Sequence, residues 1–168
     1  MPTSPAPLVS IVVGSDSDLP FIQEAADVLK EFGIPYEMRI ASAHRTPDLA
    51  HEFARTVMDR GIQVVIAAAG GAAHLAGVVA SLTPLPVIGV PVPTEMMGGL
   101  DSLLSMVQMP AGVPVATVSA NKAGPRNAAV LAAEILGVHD PAIRKRVAGY
   151  KASLARAGAE KDQKLRGQ

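Results

Sequence analysis

Short runs of strand-forming apolar residues alternate along the chain with segments in which apolar residues recur every three or four positions. The helical spacing is clear between Ile22 and Leu29, where Ala25 and Ala26 join them on one face. Strands that alternate with helices predict a parallel sheet whose strands are joined by crossover helices. The predicted strands are 8–13, 36–40, 62–68, 86–90 and 113–118.

The two strands that differ most in polarity indicate their places in the sheet. Residues 62–68 are apolar without interruption, as expected for a central strand that helices cover on both faces. Residues 36–40 are more polar and are predicted to form an edge strand. The pattern therefore predicts an α/β fold with a doubly wound parallel sheet of five strands.

The chain is predicted to form a single domain, because no repeat or linker interrupts it. Asp140, which precedes a proline, is the predicted N-cap of a terminal helix. No strand follows this helix, so its apolar side is expected to cover the domain edge or a neighbouring subunit. Within 1–168, the predicted parts are a flexible N-terminus (1–7), an α/β core (8–137), a C-terminal helix (140–157) and a mobile tail (158–168).

Composition narrows the range of partners. Only 18% of the residues are charged and 49% are hydrophobic, which suggests that some outer helix faces are buried against other copies of the chain. A formal net charge of zero and 3% aromatic residues argue against nucleic-acid binding. There is no cysteine for a disulfide. Neither a membrane-spanning stretch nor a signal peptide is recognisable, so a cytoplasmic protein is expected.

Polar turns follow the first three predicted strands, at 14–18, 42–45 and 70–74. In a doubly wound sheet these turns meet at the carboxyl edge, where ligands bind. Each turn also opens a helix, whose free N–H groups favour an anion such as a phosphate monoester. Arg45 offers a bidentate contact to phosphate, and Asp18 offers a carboxylate to ribose hydroxyls. These residues predict a phosphorylated ribose ligand, although Asp18 also fits a helix N-cap.

The four histidines differ in their predicted roles. His51 is expected at the surface of a helix, and His139 near a helix end. His74 begins the helix after Gly70-Gly71 and fits a structural role as well as a site role. His44 lies in a loop at a strand's carboxyl end, where an imidazole can titrate near neutral pH. No second ligand stands at metal-binding spacing from His44, so no metal is expected.

Blocks of sequence at the predicted strand ends stand in a specific order. They are GSDSD (14–18), SAHRTP (42–47), AGGAAHL (69–75), GVPV (89–92), DSL (101–103), VQMP (107–110) and KAG (122–124). Together they closely resemble the N5-carboxyaminoimidazole ribonucleotide mutase family, the bacterial-type catalytic subunit of phosphoribosylaminoimidazole carboxylase. The resemblance covers about 9–137. A single block would be weak, whereas the ordered set is specific.

The resemblance implies a flavodoxin-like, three-layer αβα sandwich with an extra C-terminal helix, assembled as a homo-octamer without metal or organic cofactor. It implies that His44 is the general acid and base. Two departures from the family pattern are visible: Ala76 replaces a proline, and Pro125-Arg126 replace small residues. The implied substrate contacts are Ser15, Ser17, Asp18, Ser42, Ala43, Arg45, Gly70, Gly71, His74 and Leu75.

The implied reaction belongs to purine biosynthesis de novo. It converts N5-carboxyaminoimidazole ribonucleotide to 4-carboxy-5-aminoimidazole ribonucleotide by decarboxylation and recarboxylation, downstream of an ATP-dependent synthase that forms the carbamate. One alternative is a related carboxylase that uses carbon dioxide directly, a class that typically has lysine in place of Arg45. The other is a non-catalytic module that binds a nucleotide or flavin. The His44-Arg45 pair and the scarcity of aromatic residues count against flavin.

Overall fold

The computed structural model describes residues 6–167 and contains a five-stranded parallel sheet. The strands are β1 (Val9–Val13), β2 (Tyr36–Ile40), β3 (Val64–Gly70), β4 (Val87–Val92) and β5 (Ala116–Thr117). The spatial order is β2-β1-β3-β4-β5, so the order reverses between β1 and β3, as in flavodoxin-like proteins. The predicted doubly wound sheet and the edge position of the second strand are confirmed.

Helices cover both faces of the sheet because the side chains of each central strand alternate between two apolar cores. The helices are α1 (Leu19–Glu31), α2 (Pro47–Thr56), α3 (Leu75–Leu82), α4 (Leu100–Val107), α5 (Ala123–Gly137) and α6 (Pro141–Arg166). In β3, Val64 and Ile66 enter the core formed with α1, α5 and α6. Val65 and Ala67 enter the core formed with α2, α3 and α4. The three-layer αβα sandwich is therefore confirmed.

The C-terminal helix is longer than predicted. Asp140 caps it as expected, with its carboxylate accepting from the N–H groups of Ala142 (2.8 Å) and Ile143 (3.1 Å). The helix then continues through the predicted tail to Arg166, so the predicted end at 157 is wrong. The tail is polar but rich in good helix formers, which explains the extension. Residues 151–167 are exposed.

Two element boundaries also differ from the prediction. The fifth strand pairs with β4 only through Ala116 and Thr117 instead of over 113–118. Helix α3 begins at Leu75 rather than near residue 72. The reason is that Gly71 and Ala73 have φ of +68° and +26°, which no right-handed helix contains.

The prediction of a flexible N-terminus at 1–7 falls mostly on residues 1–5, which lie outside the described residues. Residues 6 and 7 belong to no helix or strand. Within 6–167, no helix combines the length and apolar character that crossing a membrane requires.

Candidate active site

The turns that follow β1, β2 and β3 meet at the carboxyl edge of the sheet around a cavity of about 640 Å³. This volume lies within the usual range for small-molecule sites. All the residues predicted from the sequence as site residues line this cavity: Ser15, Ser17, Asp18, Ser42, Ala43, His44, Arg45, Gly70, Gly71, His74 and Leu75. The structure thus brings them together, and their roles toward a ligand stay predictions.

The turn after β1 is held by hydroxyl contacts among its own side chains. Ser17 donates to the Ser15 hydroxyl (2.9 Å), and the backbone N–H of Ser17 donates to Asp16 Oδ1 (3.0 Å). Asp18 stands at the N-cap position of α1 but makes no side-chain capping bond, so its carboxylate is not used to cap the helix.

Burial raises the pKa of the Asp18 carboxyl, against the opposing effects of the Ser17 hydroxyl and the positive charge of Arg45. A carboxylate that is partly desolvated in this way is a strong acceptor for hydroxyl groups that enter the cavity. This environment fits the predicted contact with ribose hydroxyls.

The turn after β2 places His44 and Arg45 side by side through an internal bonding pattern. The N–H of Arg45 donates to the Ser42 hydroxyl (3.1 Å), and the N–H of Ser42 donates to the Thr46 hydroxyl (2.9 Å). The Arg45 guanidinium reaches across to the first turn, where Nη2 donates to the Gly14 carbonyl (3.0 Å). One cation therefore joins two of the three turns and leaves further guanidinium N–H groups for an anion.

The two histidines of the cavity are hydrogen-bonded to each other. His44 Nε2 lies 2.7 Å from His74 Nδ1, with the ring centroids 4.8 Å apart and the rings nearly perpendicular. One nitrogen must donate and the other accept, so the two imidazoles share a proton position. Both side chains are exposed to the cavity opening. Both histidines were predictable from the sequence as candidates for the site, but the bond between them was not.

The turn after β3 differs from the expectation that its N–H groups are free for an anion. The N–H of Gly71 donates to the Ser102 hydroxyl (2.9 Å), and that of Ala73 to the Gly70 carbonyl (3.4 Å). These two donors are therefore engaged within the protein. The N–H groups of Ser17 and Arg45, in the other two turns, also have partners within the protein. Anion binding in this cavity would therefore depend on the Arg45 guanidinium, the hydroxyl side chains and the N–H groups that remain.

A fourth segment lines the cavity and was not predicted. Val92, Pro93 and Thr94 follow β4 and close one side. The Thr94 hydroxyl donates to Asp101 Oδ1 (2.7 Å), and this bond lowers the pKa of Asp101. The block GVPV at 89–92 was the available signal, since it marks the end of a strand beside β3.

The remaining candidates lie away from the cavity. His51 and His139 are not among its lining residues. Arg126, part of the second departure from the family pattern, lies in α5 and forms an ion pair with Glu24 on α1 (2.8 Å). Among residues 6–167, no three His, Asp or Glu side chains cluster at metal-binding distance.

Fold and cavity together define a flavodoxin-like α/β protein with a polar cavity at the point where strand order reverses, the place where ligands bind in such sheets. The family model described as AIR carboxylase matches residues 8–157, and the chain belongs to this family. The family recognised from the ordered sequence blocks is therefore confirmed.

Similar proteins agree with this assignment. An N5-carboxyaminoimidazole ribonucleotide mutase of Thermotoga maritima is 58% identical, covering 95% of this chain and 92% of the relative. A protein of the same name from Mycobacterium tuberculosis is 54% identical, covering 98% of this chain and 93% of the relative. The crystal structure of Treponema denticola PurE is 36% identical with a TM-score of 0.86, covering 95% and 98% of the two chains.

Proposed function

We propose that the chain is an isomerase of purine biosynthesis that converts N5-carboxyaminoimidazole ribonucleotide to 4-carboxy-5-aminoimidazole ribonucleotide. The observation that carries this function is 53–58% identity to relatives named as mutases of this substrate, over most of the chain. The cavity supports it, because two imidazoles, one guanidinium and one carboxylate line a volume suited to a small ligand.

The ligand's polar groups have matching partners around the cavity. Arg45 binds the phosphate with its free guanidinium N–H groups, assisted by the hydroxyls of Ser17 and Ser42. Asp18 and Ser15 bind the ribose hydroxyls. The aminoimidazole then lies toward the wall formed by Ala43, Gly70, Gly71, His74 and Leu75.

The reaction requires one proton to move from C4 to N5. The carbamate first loses carbon dioxide, and the electron pair of the broken N5–C bond takes a proton at N5. C4 then attacks the carbon dioxide, and the new intermediate loses its C4 proton to restore the aromatic ring. His44 donates the first proton and accepts the second, so its protonation state at the end of the cycle is the same as at the start.

Two features of the site support this role for His44. The hydrogen bond between His44 Nε2 and His74 Nδ1 can hold its proton on either nitrogen, so His74 can supply a proton to His44 or take one from it without bulk water. The wall beside it is built from small residues, Ala69, Gly70 and Ala73, and can close tightly around carbon dioxide.

The proposed assembly, location and source of substrate follow from the family. We propose a cytoplasmic homo-octamer without cofactor, whose substrate comes from an ATP-dependent carbamate-forming synthase. The exposed α6 supports assembly, since Leu154 and Leu165 are 55% and 72% exposed in the single chain. Such apolar side chains are commonly covered in oligomers.

The alternative is a carboxylase that adds carbon dioxide to aminoimidazole ribonucleotide, an activity that the family description also allows. The purified chain is given either the carbamate substrate or aminoimidazole ribonucleotide with bicarbonate, and the 4-carboxy product is followed. Faster product formation from the carbamate supports the mutase. Efficient turnover only with bicarbonate would replace it with the carboxylase.

A further inference from the structure

Helix α4 contributes a buried serine to the edge of the site, and the mechanism above does not use it. Ser102 is fully buried in the first turn of α4. Its hydroxyl donates to the Val92 carbonyl (2.7 Å) and accepts from the N–H of Gly71 (2.9 Å). A hydroxyl has one proton to donate and lone pairs to accept, so both bonds can form together.

These two bonds extend the sheet by one step beyond its last pair. Gly70 and Val92 are the final partners of the β3–β4 ladder. Beyond this pair, the backbone segments that follow β3 and β4 diverge and form different walls of the cavity. No backbone partner remains for the Gly71 N–H. The Ser102 hydroxyl supplies that partner and bonds both strand ends. It therefore fixes the place at which the two walls diverge.

A second serine of α4 lies beside the peptide groups around Gly71. The Ser105 hydroxyl, one turn further along the helix, has one proton, which it directs to the Asp101 carbonyl (2.9 Å) or to the more distant Gly71 carbonyl (3.3 Å). Gly71 has φ of +68° and Ala73 has φ of +26°, an uncommon value for a residue with a side chain. Such a backbone persists only where its surroundings hold it. The bond from the Gly71 N–H to Ser102 is therefore the main restraint from α4, and the contact with Ser105 is a weaker one.

His74 is three residues beyond this restrained glycine. Its imidazole meets His44 at 2.7 Å, a distance that a small rotation of the turn would destroy. We propose that Ser102 is a positioning residue for the reaction, which sets the turn at Gly71 and thereby places His74 against His44. This rests on the proposed function for its catalytic consequence, whereas the restraint of the turn can be measured separately.

The test compares Ser102→Ala with the wild type and with Ser81→Ala. Ser81 is an exposed serine of α3 whose hydroxyl donates to the Val78 carbonyl (2.8 Å), away from the cavity. Misplacing a reacting group by about 1 Å lowers turnover roughly 100-fold. We expect Ser102→Ala to lower kcat about 10- to 100-fold, with KM changing less than about threefold. Ser81→Ala should match the wild type.

A second readout does not depend on activity. Hydrogen exchange of the peptide spanning 70–76 should be faster in Ser102→Ala than in the wild type, because the Gly71 amide loses its acceptor. Ser102→Thr keeps the hydroxyl and should recover part of both the protection and kcat. A purely structural role would lower the denaturant midpoint and leave kcat per folded molecule unchanged.

The outcomes separate the two claims. If the wild type does not turn over the carbamate substrate, the proposed function fails. The exchange experiment alone then tests whether Ser102 restrains the turn at Gly71. If kcat of Ser102→Ala stays within about twofold of the wild type, or exchange at 70–76 is unchanged, the positioning role is refuted. Should Ser102→Ala fail to fold, Ser105→Ala must show a smaller loss in the same direction, and an unaltered kcat there would refute the proposal.

Discussion

Arg45 is the residue whose replacement tests the ligand assignment most sharply, because its guanidinium joins two turns of the cavity. It donates to the Gly14 carbonyl (3.0 Å), and its charge lowers the pKa of Asp18 against the effect of burial. Arg45→Met keeps most of the side-chain length and removes the charge and every donor. The exposed position means that the fold should tolerate the change.

The expected loss follows from the contact that is removed. A hydrogen bond to a charged group contributes about 1.5–3 kcal/mol. Since about 1.4 kcal/mol corresponds to a tenfold change in affinity, nucleotide binding should weaken roughly 10- to 100-fold. The loss should shrink at high salt, because part of the attraction between guanidinium and phosphate is screened there.

Titration calorimetry with aminoimidazole ribonucleotide at fixed ionic strength measures this loss. Arg55→Met is the matched control, since Arg55 is an exposed arginine near the end of α2, the helix that follows the Arg45 turn. It should bind the nucleotide like the wild type. Equal affinities of Arg45→Met and the wild type would refute the placement of the phosphate, whatever the effect on turnover.

Three further substitutions test the site and the core. Burial raises the pKa of Asp18 above its ordinary value of 3.8, so its ionised form destabilises the fold. Asp18→Asn should therefore raise the unfolding temperature at pH 7, and the difference from the wild type should vanish below about pH 3, where the carboxyl is protonated. The same variant should bind the nucleotide more weakly. A variant less stable than the wild type at pH 7 would contradict the first expectation. His74→Leu removes the hydrogen-bond partner of His44 and should lower kcat about tenfold in steady-state kinetics, which corresponds to the loss of one hydrogen bond. An unchanged kcat would show that the bond between the two histidines has no role in turnover. Gly89→Ala places a Cβ 2.8 Å from Val115 Cγ1 and should lower the free energy of unfolding in urea by about 1–3 kcal/mol. An unchanged free energy of unfolding would contradict this prediction.

The sequence predicted the sheet well because its central strands are defined by continuous apolar runs. It predicted the C-terminal helix less well, since residues 158–166 carry no apolar stripe and were interpreted as a tail despite their helix-forming composition. The short β5 follows from tertiary context, because only Ala116 and Thr117 are paired in register with β4. The apolar pattern carries no information on either point, although the helix-forming composition of 158–166 favoured the longer helix.

Site residues were predictable where they stand in a turn at a strand end, as His44 and Arg45 do. The bond between His44 and His74 was not, because it depends on the directions of two side chains 30 positions apart. The Ser102 contact with Gly71 was missed for the same reason, since it spans 31 positions and an entire helical crossover. His74 and Ser102 both lie in recognisable sequence blocks, but a block does not indicate which side chains its residues contact.

The central claim is that the His44 imidazole moves the proton between C4 and N5 above a bound nucleotide. His44→Asn measured for both turnover of the carbamate substrate and affinity for aminoimidazole ribonucleotide tests it most directly. We expect kcat to fall by about 10²–10⁴-fold, with affinity nearly unchanged. Turnover close to that of the wild type would contradict the account, as would a loss of activity explained entirely by lost binding.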